Sequence, residues 1–198
     1  MGVVIEMIGT FILAAVLTVM VLQMQINAFQ TDANAKYTYA LQAHSNIVKD
    51  VLRGYLKQAG YNLTDIEHII LRIDKDDFIF LTDMDEDGSV DTVRITYADY
   101  PSGQDPTPKN DFDKMLVVTT DAGKQVIESY GITDFEFFYL NASGQETTVK
   151  DNVRTVGFRY KMLSREPVVY HEGTSYTKED YAMAIAEERV FLKNVWDW

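Results

Sequence analysis

Oxygen-bearing side chains stand at every second position of one short segment in the middle of the chain. They are Asp83, Asp85, Asp87, Ser89 and Asp91. Carboxylates at positions 1, 3, 5 and 9, with Gly88 at position 6 for the sharp turn, match most of a calcium-binding loop. Position 12 is Arg94, whereas an EF-hand has a bidentate glutamate there. The spacing therefore fits a structural calcium site, in which the Ser89 carbonyl joins the carboxylates, or a metal-free acidic hairpin tip.

A second candidate is a lone acid in an apolar segment. Glu6 is the only ionisable side chain between Met1 and Leu22. A helix of 22 residues is about 33 Å long, close to the roughly 30 Å hydrocarbon thickness of a bilayer. A carboxylate in hydrocarbon costs several kcal/mol unless it is paired or neutralised. Glu6 therefore needs a partner.

Three interpretations of this apolar segment compete. A secretory signal has a basic start and a small-residue cleavage site, but no lysine or arginine precedes Lys36 and Met24–Asn27 is a poor site. A plain membrane anchor would avoid Glu6. The pattern favours the third interpretation, a helix that lies first in a membrane and then in a protein assembly where Glu6 finds a cationic partner.

Composition excludes several classes of function. The 198 residues include no cysteine and three histidines, and no nucleophile elbow, phosphate-binding loop or metal-binding histidine pair is present. The net charge of −12 argues against nucleic-acid binding, which needs a basic face. We therefore expect no catalytic residues, no enzyme activity and no nucleic-acid partner. Sequons at Asn62 and Asn141 are candidate glycosylation sites, although so short a pattern is frequent by chance.

The helical pattern continues beyond Leu22. Residues 23–59 contain no proline. An apolar stripe repeats there at three- and four-residue steps: Tyr37, Leu41, His44, Val48, Val51 or Leu52, Tyr55 and Ala59. Gly60 is a natural stop signal. We predict one helix of nearly 60 residues, apolar all round in its first half and amphipathic in its second, with His44 packed and hydrogen-bonded under a sheet.

After Gly60 the apolar residues alternate with a period of two. This alternation predicts strands over Phe78–Thr82, Val93–Tyr97, Leu116–Thr120, Gln125–Ile127, Phe135–Leu140 and Val153–Met162. Residues 181–191 are ambiguous between helix and strand, and their alternation with alanines favours a strand. The whole pattern predicts an α+β fold, with a long helix over 1–60, of which 1–22 is the membrane or filament-core segment, and an antiparallel β-sheet head domain over 61–198.

The Glu-bearing helix ends in the block Leu56–Tyr61. Three further blocks follow in order: Phe78–Tyr97, Gly131–Leu140 and Asn152–Val156. This order resembles the type IV pilin and pseudopilin superfamily, most closely the minor-pilin-like proteins of bacterial type IV pili, and the likeness covers most of the chain. The resemblance implies a structural subunit whose N-terminal helix joins the core of an extracellular filament while its sheet lies outside.

The resemblance also implies a role for Glu6. In this family a glutamate near the mature N-terminus pairs with the free α-amino group of a neighbouring subunit, here that of Met1. The glutamate is usually fifth, after an initial phenylalanine, whereas this chain has no phenylalanine at its start. Either Met1 is the mature start, or a minimal leader ends at Gly2.

The resemblance further implies the partners of the chain. They are copies of itself, other pilin-like subunits, the inner membrane before assembly, and the pilus assembly machinery; the filament is at the cell surface. An alternative is a membrane-anchored extracytoplasmic domain that does not polymerise and binds ligands with the acidic hairpin or the loop Pro101–Asp111.

Overall fold

The structure, a computed structural model, describes residues 2–64, 68–100, 114–121, 123–127, 131–172 and 176–195. One helix, α1 (Gly2–Lys57), precedes all the strands. The strands are β1 (Ile70–Ile73), β2 (Asp77–Thr82), β3 (Asp91–Ala98), β4 (Met115–Thr120), β5 (Gly123–Ile127), β6 (Ile132–Leu140), β7 (Thr155–Glu172) and β8 (Tyr176–Phe191). Short 3-10 turns cover Lys150–Asn152 and Lys193–Val195. The predicted α+β fold is confirmed.

The strands form two antiparallel sheets rather than one. β1 to β5 make a five-stranded sheet and β6 to β8 a three-stranded sheet, and in each the strands neighbour one another in chain order. In the β2–β3 hairpin, Phe80 is opposite Val93 and Thr82 is opposite Asp91. This register places residues 83–90 at the tip of that hairpin.

The second half of α1 packs against β7 and β8. Its buried residues are Leu41, Ser45, Val48, Leu52 and Leu56. The four leucine and valine side chains among them share one hydrophobic core with residues of both sheets. Steps of three and four residues keep these side chains on one face of a helix. Leu41, Val48 and Leu52 belong to the predicted apolar stripe, whereas at its end Leu56 is buried and Tyr55 is half-buried.

His44 is a correction to the predicted stripe. The structure leaves His44 exposed and buries Ser45 instead. Four residues separate Leu41 from Ser45 and three separate Ser45 from Val48, so the buried face follows Ser45. A buried hydroxyl needs a partner: the Ser45 and Tyr160 hydroxyl oxygens lie 2.9 Å apart, and the Tyr160 hydroxyl donates to the Ser45 carbonyl at 2.6 Å.

An aromatic seam joins the two sheets. The ring of Phe78 on β2 lies 5.8 Å from that of Phe137 and 5.7 Å from that of Tyr139, both on β6. The Tyr139 hydroxyl donates to the Asp74 carbonyl at 2.6 Å. Burial raises the pKa of Tyr139 well above its usual value, so this hydroxyl stays a donor. Such ring pairs add about 0.5–1.5 kcal/mol each beyond the burial of their area.

Several boundaries differ from the predicted ones. α1 ends at Lys57, and a turn carries the chain to Gly60, whose φ of +74° is the left-handed conformation that favours glycine. The Gly60 N–H donates to the Leu81 carbonyl at 2.9 Å, which ties the end of the helix to β2. β1 was not predicted, and β7 extends to Glu172, beyond the predicted Met162. The strand predicted over 181–191 is confirmed as part of β8.

Replacing Gly60 tests this helix terminus. A Cβ at Gly60 would lie 2.8 Å from the Asn194 carbonyl oxygen, and the residue is in the left-handed region. We expect Gly60→Ala to lower the free energy of unfolding by about 2 kcal/mol, measured by thermal and urea denaturation in a nonionic detergent.

Gly54 is the matched control for this change. It lies in α1, is exposed, and has no atom within 4 Å of an added Cβ. Gly54→Ala should therefore raise the free energy of unfolding by about 0.5–1 kcal/mol. Equal effects at the two positions would contradict the described geometry.

Candidate functional site

The first candidate site is the uncovered part of α1. Every residue from Gly2 to Phe29 is exposed, and the first buried residue of the helix is Leu41. Large apolar side chains share this exposure: Val3, Phe11 and Phe29 have 72%, 72% and 75% of their surface accessible. Soluble monomers rarely expose a contiguous apolar surface of this kind, and surfaces of this kind mark contact with lipid or with another protein.

Length and composition suit this segment to a membrane. α1 contains an 18-residue window with a mean hydropathy of 2.4, none of which is buried in the structure. A helix near the N-terminus with these properties is a membrane anchor or a signal sequence, whereas the core helix of a soluble protein is mostly buried. The apolar N-terminal helix is therefore a candidate membrane-spanning segment.

Glu6 lies in this uncovered segment without a charged partner among the described residues. Its backbone carbonyl accepts a hydrogen bond from the Thr10 hydroxyl at 2.8 Å. The first basic side chain along α1 is Lys36, which forms an ion pair with Asp32 at 2.7 Å. The predicted partner Met1 lies outside the described residues.

The second candidate site is the tip of the β2–β3 hairpin. Carboxylate oxygens of Asp83, Asp85 and Asp91 all lie within 4.8 Å of one another. Asp83 is buried, with 1% of its surface accessible, Asp91 is half-buried and Asp85 is exposed. Of the five predicted ligands, the structure therefore brings three together; Asp87 and Ser89 are outside this trio.

Hydrogen bonds within the tip orient the side chains of Asp91 and Asp87. Asp91 Oδ2 accepts from the Met84 N–H at 2.8 Å. Asp87 Oδ1 accepts from the Ser89 N–H at 2.7 Å, and hydrogen bonds from the side chain and backbone of Ser89 lower the pKa of Asp87. Asp87 thus caps the turn at Ser89.

The tip is joined to the chain that leaves α1. Asp83 Oδ2 accepts from Asn62 Nδ2 at 2.6 Å, and the Asp83 N–H donates to the Tyr61 carbonyl at 3.0 Å. The Tyr61 hydroxyl donates to Glu86 at 3.0 Å, and this hydrogen bond raises the pKa of Tyr61. Sequence patterns did not predict these contacts because the two segments are about twenty residues apart.

One atom of the site has no partner. Asp83 Oδ1 is buried and accepts no hydrogen bond from the part of the chain that the structure describes. A buried carboxylate oxygen in that state is costly, because burial removes the water that would otherwise solvate it.

Arg94 is turned away from the tip. Its guanidinium donates two hydrogen bonds to the buried Asp77, at 2.8 and 2.9 Å, and Thr96 donates a third at 3.0 Å. Burial opposes ionisation of Asp77, but these hydrogen bonds and the positive charges of Arg94 and Arg72 outweigh it and hold the pKa of Asp77 below its usual value. The residue at loop position 12 is therefore a structural ion-pair partner in the sheet.

The two sequons differ in their surroundings. Asn62 has a φ of +55° and its Nδ2, the atom that would bear a glycan, donates to Asp83. Asn141 lies in the turn after β6, where its Oδ1 accepts from the backbone N–H groups of Ser143 and Gln145. Glycosylation of either residue stays a prediction. The loop Pro101–Asp111, named above as a binding loop, lies outside the described residues.

Comparison of the chain with protein-family models, curated proteins and solved structures gave no match. The resemblance to the pilin superfamily therefore depends on the sequence blocks alone.

Acid unfolding tests the Asp77 ion pair. Because the folded-state pKa of Asp77 is below its unfolded value, its contribution is present above about pH 4 and is lost as the pH falls further. We expect Asp77→Asn to lower the free energy of unfolding by about 2–3 kcal/mol at pH 7, with a smaller difference from the wild type at pH 2–3.

The control for the Asp77 variant is Asp76→Asn, which removes the same charge from an exposed neighbour. It should change the free energy of unfolding by less than about 0.5 kcal/mol. A difference between wild type and Asp77→Asn that does not shrink with acid would contradict the ion-pair assignment.

Proposed function

We propose that this chain is a structural subunit of an extracellular type IV pilus-like filament and polymerises through the first half of α1. The observation that supports this most is the uncovered apolar surface from Gly2 to Phe29. In a filament this surface is buried against the same segment of neighbouring subunits, while the two sheets face outward. Before assembly the segment is held in the inner membrane.

The length of the uncovered surface favours a filament over a simple anchor. Residues 1–22 already match the roughly 30 Å hydrocarbon thickness of a bilayer. Met24, Ile26 and Phe29 lie beyond that length and are still 76%, 54% and 75% exposed. A bilayer whose hydrocarbon core holds residues 1–22 leaves these side chains outside that core, whereas a bundle of parallel helices covers them as well.

Glu6 supplies the second part of the argument. Lys36, the first basic side chain along α1, is about 45 Å away at 1.5 Å per residue and is already paired with Asp32. Within α1, therefore, no basic side chain of the same chain is near enough to neutralise Glu6, and a cation in an apolar bundle would come from another chain. The α-amino group of a neighbouring subunit fits this need, as the family resemblance implies, and such a pair would set the axial spacing between subunits.

The alternative function is a membrane-anchored domain that does not polymerise and uses the acidic hairpin tip for binding. It shares the membrane segment with the filament proposal but gives Glu6 no role. Neutralising Glu6 therefore separates the two, because a solitary anchor should tolerate or prefer an uncharged residue there.

We expect Glu6→Gln, expressed in the native cells, to reduce the subunit in sheared surface filaments at least tenfold while its amount in the membrane fraction is unchanged. The physical reason is that glutamine cannot form the interchain ion pair, so the α-amino group of the neighbouring subunit would be buried without a counter-charge. Immunoblots of sheared and membrane fractions, with electron microscopy of the sheared material, measure this result.

Asp32→Asn is the matched control, because it removes one exposed carboxylate from the same helix outside the apolar segment. It should leave the filament fraction unchanged. Filaments of Glu6→Gln at wild-type abundance would contradict the proposed function and favour the non-polymerising anchor.

A further inference from the structure

We infer that the tip of the β2–β3 hairpin binds one calcium ion through the carboxylates of Asp83, Asp85 and Asp91. The inference does not depend on filament assembly, because every residue that it uses is in the head or in the chain that leaves α1. It narrows the five-residue pattern in the sequence to the three acids that the fold brings together.

The distances allow the three acids to share one ion. Calcium binds oxygen ligands at about 2.3–2.6 Å, so two ligands of one ion are at most about 5 Å apart. The three carboxylates have oxygens that all lie within 4.8 Å of one another. Backbone carbonyl oxygens and water would complete the six to eight ligands that calcium takes.

The buried oxygen of Asp83 points to a cation independently of the cluster. Asp83 is only 1% exposed, and its Oδ1 has no hydrogen-bond partner among the described residues. Its Oδ2, in contrast, accepts N–H groups from Asn62 at 2.6 Å and Gly88 at 3.2 Å. One oxygen is satisfied by the protein and the other needs an external ligand, which a bound cation provides.

No basic side chain among the described residues forms an ion pair with the acids of the tip. Five carboxylates occur between residues 83 and 91, and no lysine or arginine stands between Lys75 and Arg94. Arg94 donates to Asp77 at 2.8 Å, and Arg72 lies 3.2 Å from the same carboxylate. Within the described chain, no ion pair includes Asp83, Asp85 or Asp91. No described basic side chain therefore offsets the repulsion among these acids, and a metal ion would do so.

The chemistry of the ligands favours calcium over magnesium. All three are hard carboxylate oxygens on a turn whose backbone includes two residues with positive φ, Glu86 at +60° and Gly88 at +83°. An irregular loop of this kind suits the flexible coordination of calcium, whereas magnesium needs near-octahedral geometry at about 2.0–2.1 Å.

The position of the ion gives it a structural role. Asp83 is bonded to Asn62 through its side chain and to Tyr61 through its backbone N–H. A cation on Asp83 would therefore tie the hairpin tip to the residues that follow α1. Calcium would stiffen the joint between the helix and the five-stranded sheet.

Calcium titration of the full-length protein in nonionic detergent tests this inference. After removal of metals with EDTA, we expect 5 mM calcium to raise the melting temperature by about 2–9 °C, as for a site with a Kd of about 0.1–1 mM. The same concentration of magnesium should give less than half that shift. Calorimetric titration should give one calcium ion per chain.

Two variants locate the ion. Asp85→Asn and Asp91→Asn keep a hydrogen-bond acceptor but remove a charged ligand, and each should weaken calcium binding at least tenfold. In EDTA both should melt at or slightly above the wild-type temperature, because they reduce repulsion. The variants should therefore melt at or above the wild-type temperature in EDTA and below it in calcium. Melting in EDTA at or above the wild-type temperature also shows that the variants fold.

Glu86→Gln is the matched control, since it removes the same charge from the tip at a residue outside the trio. Glu86→Gln should keep the rise in melting temperature that calcium causes in the wild type. The inference is overturned if calcium gives the wild type no shift, if magnesium gives an equal one, or if Glu86→Gln loses as much of the shift as Asp85→Asn.

Discussion

One helix of 56 residues has to satisfy two environments, and the rest of the structure depends on this constraint. Its first half has an apolar surface that the described chain does not cover, and its second half is a component of the head's own core. The rigid continuity of the helix couples the two, because any partner that covers the first half also fixes the orientation of the head. A short helix or a flexible linker would separate these tasks.

The head holds its half of the helix with polar contacts as well as apolar ones. Ser45 and Tyr160 form a buried hydrogen bond, and Arg53 forms an ion pair with Glu188 on β8 at 2.7 Å. These contacts need one specific orientation of α1, whereas apolar packing alone tolerates small rotations and shifts. At the helix terminus, Gly60 and Asn62 connect α1 to the first sheet through β2 and the hairpin tip. The helix is thus fastened to both sheets.

Periodicity in the sequence was enough to predict the fold class and most elements. The three- and four-residue steps located the docked face of α1. Alternation located β2, β3 and most of β7 and favoured a strand for residues 181–191, whereas β4 and β6 were predicted from short apolar runs. The four-residue β1 escaped prediction because so short a segment carries little periodic signal. The prediction placed His44 in the buried face because positions 44 and 45 both fit the three- and four-residue steps of the stripe. The structure buries Ser45 instead, where its hydroxyl contacts the Tyr160 hydroxyl.

What the sequence determined by itself is local: the apolar run with its single acid, the helix that continues from it, and the acidic spacing between two strands. The tertiary structure decided which of those acids meet. It buries Asp83 and groups it with Asp85 and Asp91, while Asp87 caps a turn and Arg94 faces Asp77. The physical reason is that spacing along the chain sets only which side chains are near one another, whereas burial and direction come from segments distant in sequence, here Asn62 and the opposite strand.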